Sequence, residues 1–69
     1  MGWGPDKGSP SLGDVLFEFT PIGGQMRVAA IDSKSGTEVI VIAPLTASQI
    51  QMQNLALAKL KRRLEQQGQ

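Results

Sequence analysis

Four carboxylates, Asp14, Glu18, Asp32 and Glu38, and the basic run Lys59-Leu60-Lys61-Arg62-Arg63 are the groups in this 69-residue chain best suited to chemistry. Acid–base catalysis needs two carboxyls converging on one reacting atom. Glu18 and Glu38 fall on one face of the expected sheet, but a strand carrying Arg27 separates them. Their expected role is surface ion pairing. The chain contains no histidine, cysteine or tyrosine. That removes the usual zinc ligands, the commonest general base and a phenolic acid. Serine–lysine nucleophiles remain, but no spacing sets a serine beside a lysine in a cleft. We expect no catalytic residue, no cofactor and no metal site.

The basic run offers a different chemistry. Lys59, Lys61, Arg62 and Arg63 could contact phosphates. Net charge is only +1 and is unevenly divided. Lys7, Arg27 and Lys34 against Asp6, Asp14, Glu18, Asp32 and Glu38 leave residues 1–45 at −2, whereas the remainder stands at +3. Basic residues in a last helical turn complement the helix dipole without any ligand, and that is the expected role here. Gly23-Gly24 could cradle a phosphate only ahead of a helix N-terminus. A strand follows it, so a hairpin turn is expected.

These residues are positioned by a short series of elements. Residues 1–12, "MGWGPDKGSPSL", combine glycine, proline and serine around Trp3 and are expected to form a flexible tail; residues 13–69 make a single small domain. Strands are expected at 14–20, 25–32 and 37–43, each with alternating faces. Pairing Thr20 with Gln25 sets Phe19 opposite Met26, Phe17 opposite Val28 and Glu18 opposite Arg27. Pairing Asp32 with Thr37 sets Ala30 opposite Val39, Val28 opposite Val41 and Ala29 opposite Ile40. Inward residues then meet inward residues across both hairpins.

Pro44 ends the third strand, and a helix is expected over 46–66. Thr46 with Gln49, or Ser48 with Gln51, supplies its capping box. Ile50, Leu57, Leu60 and Leu64 form its inward stripe at about 100° per residue. The expected core contains Phe17, Val28, Val41, Leu57 and Leu60. The architecture is α+β, a three-stranded antiparallel meander with one C-terminal helix on one face.

One helix covers one face, yet "VIVIA", residues 39–43, is apolar on both. The second face carries Leu16, Ala29, Ile31, Ile40 and Ile42, and Met52 and Leu55 lie away from the inward stripe. A clustered apolar surface of this kind marks an interface. These seven residues are the candidate interface. The Val39–Ala43 edge is the one expected to pair with another chain, because the first strand carries Asp14 and Glu18.

"GDVLFEFTPIG", "RVAAIDSKSGTEVIVIAP" and "LALAKLKRRL" together resemble a short family of uncharacterised bacterial proteins, a domain of unknown function, over residues 13 to about 65. The resemblance implies the fold unit and brings no activity or site residues with it. The expected function is a non-enzymatic protein–protein interaction module, a homodimer or an accessory subunit of a larger complex. The alternative is a weak nucleic-acid or ribosome-associated binder using Lys59, Lys61, Arg62 and Arg63. Neither a membrane nor a small-molecule substrate is indicated: no stretch is apolar enough to span a bilayer and the N-terminus has no signal-peptide core. The absence of cysteine accords with the cytoplasm.

Overall fold

The first hairpin turns on two glycines. In the computed structural model, which describes residues 14–68, Gly23 takes φ 59° and Gly24 does not. This is the type II′ pattern, whose twist suits a two-residue hairpin. The strand before it, β1 (Val15–Ile22), therefore runs through Pro21 and pairs with β2 (Gln25–Asp32) up to Ile22 opposite Gln25. The expected tail, residues 1–12 with Trp3, lies outside the described residues.

This turn corrects the expected register. Phe17 stands opposite Ala30, Phe19 opposite Val28, Glu18 opposite Ala29 and Thr20 opposite Arg27. The offset from expectation is two residues, so every side chain keeps its face and only its partner changes. Glu18 and Arg27 become diagonal neighbours instead of a directly opposed pair. The expected strand stops at Thr20, whereas the observed one includes Pro21. The proline is tolerated because its nitrogen faces the open edge, where no ladder bond is lost.

The second hairpin follows expectation. Between β2 and β3 (Glu38–Pro44), Ala30 pairs with Val39, Val28 with Val41 and Ala29 with Ile40. The Asp32 N–H donates to the Thr37 carbonyl at 2.8 Å, and Gly36, at φ 77°, takes the left-handed position in the turn. The sheet is antiparallel in the order β1-β2-β3.

Helix α1 (Gln49–Gln67) starts at the second of the two expected caps. Ser48 Oγ accepts from the Gln51 N–H at 3.1 Å, and Gln51 Oε1 accepts from the Ser48 N–H at 2.9 Å. Its buried residues are Met52, Ala56 and Leu60, with Leu64 packed beside them. Leu57 is only half-buried and Ile50 is 66% exposed, so the helix is rolled from the expected stripe. The cause is side-chain size. Ala30, Ala43 and Ala56 belong to one inaccessible cluster, and such small residues let helix and sheet approach closely. A stripe weighted toward large apolar residues misses this contact. Met52, expected on the outward side as an interface residue, is thus a core residue at 6% exposure. Val28 and Leu60 are fully buried as expected, whereas Phe17 and Val41 are half-buried at the margin of the core.

Leu60→Ala should cost about 2–5 kcal/mol, and Ile50→Ala under about 0.5 kcal/mol. Urea denaturation followed by circular dichroism measures both. Equal losses would restore the stripe centred on Ile50 and Leu57.

Candidate functional site

α1 packs chiefly on β2 and β3, on the side of the sheet that carries Val28, Ala30, Val39 and Ala43. The opposite side is built in four cross-strand rows. They run Leu16-Ile31-Glu38, Glu18-Ala29-Ile40, Thr20-Arg27-Ile42 and Ile22-Gln25-Pro44. Leu16 is 59%, Ile22 54% and Ile42 53% exposed, with Ile31 and Ile40 half-exposed between them. Ala29 sits at the centre of this face but is wholly inaccessible. It can support the surface but contributes no area of its own. Ile22 lies beyond the expected strand end at Thr20 and so is absent from the candidate interface. The Gly-Gly turn held the signal that alternation continues to that residue.

On the helix, Leu55 is 54% exposed. It lines an open, mainly apolar depression of about 500 Å³ with Pro44, Ala47, Gln51, Asn54 and Ala58. Pro44, at the end of the Ile22-Gln25-Pro44 row, is shared by this depression and the outer sheet face, so Leu55 lies beside one corner of that face.

The two sheet edges differ. The Asp32–Thr37 bond fixes the phase of β3: odd-numbered residues bond to β2, and Glu38, Ile40 and Ile42 turn their backbone groups outward. Lys59 reaches this edge and donates from Nζ to the Ile40 carbonyl at 2.7 Å. Pro44 has no N–H to offer at the end of the same edge. On β1, the Ser33 N–H donates to the Asp14 carbonyl at 2.9 Å. Even-numbered residues therefore face β2, and Val15, Phe17 and Phe19 turn their N–H and C=O groups outward. The carboxylate of Glu18, which had made this edge look protected, projects from the outer face of the sheet and not from its edge.

Glu18 and Glu38 lie on the two outer strands with β2 between them, about 10 Å apart from strand spacing alone. No group of three or more metal-ligating side chains occurs among the described residues. The basic run is not in the last helical turn, because α1 continues to Gln67 and that turn holds no basic residue. The expected dipole role is thereby corrected, since the effect fades beyond one turn. Lys59 is committed to β3, while Lys61 and Arg62 share a shallow open surface with Ala58 and Glu65.

Asp32 has a role that the sequence reading did not give it. At 2% exposure it is the one buried charged residue described. Its Oδ2 accepts from the Ser35 N–H at 3.2 Å and from the Ser35 hydroxyl at 2.7 Å. Ser35 Oγ accepts from the Thr37 N–H at 3.2 Å, and the Thr37 hydroxyl donates to Gln67 Oε1 at 3.0 Å. The hairpin is thereby tied to the end of α1. Asp32 Oδ1, also buried, meets no donor among the described residues. The sequence signal was an aspartate ahead of "SKSG", an arrangement that closes turns through its side chain. Asp32→Ala should cost about 1.5–3 kcal/mol. Adding Ser35→Ala should cost less than it does in the wild type, because the bond between the Ser35 hydroxyl and Asp32 Oδ2 is then already lost. Additive losses in urea denaturation would show that the two residues act separately.

No curated protein and no solved structure matches the chain. The family model described as "Domain of unknown function (DUF6898)" matches residues 12–67, a span that includes all three strands and the helix. The chain belongs to this family of domains of unknown function.

Proposed function

We propose that this domain is a non-enzymatic protein-interaction module, of cytoplasmic and bacterial setting, whose outer sheet face docks on another protein chain. The observation that carries this reading is the apolar surface of exposed Leu16, Ile22 and Ile42, with partly covered Ile31 and Ile40 between them, on the side away from α1. Branched apolar side chains clustered in adjacent rows are costly to leave in water. Patches of this kind usually mark interaction sites. The cysteine-free composition supports the cytoplasm, and among the described residues no helix is long and apolar enough to cross a membrane. The basic run is a weaker basis for function. Lys59 is already bonded to the sheet, and the chain as a whole is almost neutral.

Ile42→Lys tests the proposal, because a lysine there must be desolvated or must hold the partner away. Ile50→Lys, at an exposed helix position, is the control. Both variants should fold, as judged by circular dichroism. Wild type and the control should retain a partner chain in crosslinking and affinity capture, and Ile42→Lys should lose it. Equal behaviour of all three would defeat the reading. Tight, steeply salt-dependent RNA or DNA binding, lost on Lys61→Gln with Arg62→Gln, would replace it with the nucleic-acid alternative.

A further inference from the structure

The helix leaves one strand half-finished. Because Lys59 lies on the flank of α1 above β3, the opposite flank, with half-buried Leu57 and Leu64, is turned toward β1. Val15, Phe17 and Phe19 on the inner face of β1 pack against the margin of the core but are only partly covered. The same three residues direct their backbone N–H and C=O groups away from β2 and into the open. Among the described residues, a partly covered apolar strip and an unpaired ladder thus coincide on β1, while the β3 edge is blunted by Lys59 and Pro44.

We propose that β1 is a self-association edge. Two copies pair antiparallel through β1 about a two-fold axis centred on Phe17, making one six-stranded sheet from two three-stranded ones. Both helices then lie on the same side. The inference is independent of docking on the outer face and adds a second interface.

Charge and hydrogen bonding select the register. With Phe17 opposite its own copy, Val15 faces the partner's Phe19, and all three outward residues exchange ladder bonds. On the outer face, Glu18 then stands opposite the partner's Leu16, and no like charges are opposed. A register centred on Glu18 sets that carboxylate against itself. One centred on Leu16 sets Glu18 against the partner's Asp14. One centred on Phe19 brings in Pro21, which has no donor. Of these four registers, the Phe17 one alone avoids all three faults.

The helices also fit. Each sits over β2 and β3, so their axes are about four strand spacings apart, or about 19 Å. Helices about 10 Å across clear one another and leave a trough over the paired β1 strands. The Phe17 and Phe19 rings of both copies project into that trough, where cross-strand aromatic pairs add stability.

Sedimentation equilibrium on the full chain tests the proposal through the sign of one charge. Leu16 is exposed in the single chain, so substitution there should not unfold it. Leu16→Glu opposes the partner's Glu18 twice in the dimer and should raise the dimer Kd about tenfold. Leu16→Lys makes two attractive pairs and should leave Kd equal to wild type or lower. Ile42→Lys should leave Kd unchanged. Amide exchange at Val15, Phe17 and Phe19 should slow as protein concentration rises. A wild type that stays monomeric at about 100 μM would overturn the proposal. So would a dimer lost equally to Leu16→Lys and Ile42→Lys, because that result assigns self-association to the outer face. Loss of a foreign partner on Ile42→Lys with an unchanged dimer Kd supports both interfaces.

Discussion

A single helix cannot cover a three-stranded sheet, and the rest of this structure follows from that mismatch. Three strands spaced about 4.8 Å apart, with their side chains, present a surface wider than one helix about 10 Å across. α1 takes β2 and β3 as its seat. Ala30, Ala43 and Ala56 bring the two layers close, while Val28, Met52 and Leu60 fill the space on either side. The contact is tight because it is narrow. Phe17 and Phe19 on β1 are left at its margin, and the far side of the sheet receives no cover from the helix.

Polar contacts hold this seat at both ends and along one side. At the helix start, the Ala47 N–H donates to the Pro44 carbonyl at 3.0 Å and joins the entry of α1 to the end of β3. At the other end, the chain from Asp32 through Ser35 and Thr37 to Gln67 joins the second hairpin to the helix terminus. Lys59 fastens the flank of α1 to the outer edge of β3. All three attachments involve the β2–β3 half of the domain. β1 is held mainly by its ladder to β2 and by its apolar inner face, which makes it the strand best placed to accept a further neighbour.

The two faces and two edges therefore carry different potential. The helix side of β2 and β3 is structural. The β3 edge is blocked in a manner typical of sheets that avoid unwanted pairing, by a lysine and a proline. Among the described residues, neither α1 nor a side chain such as Lys59 covers the outer face or the β1 edge, and both are proposed as surfaces for other chains. The described carboxylates are dispersed, and the buried one is engaged in closing a turn.

Strand faces and the helical run were legible in the amino-acid order because they depend on local rules. Alternation assigned Val15, Phe17 and Phe19 to one side and Leu16 and Glu18 to the other. The Asp32–Thr37 pairing followed from turn residues and from matching faces. Two outcomes needed the tertiary structure. The β1–β2 register moved by two residues because alternation has a period of two and cannot distinguish offsets that preserve it; the geometry at Gly23 decides. The roll of α1 was not legible because a helical stripe is judged by large side chains, whereas Ala56 was selected by how closely the helix could approach Ala30 and Ala43. That roll moved Met52 from the surface into the core and brought Lys59 to the carbonyl of Ile40. Local sequence determines which faces exist, and close packing decides which of them is used.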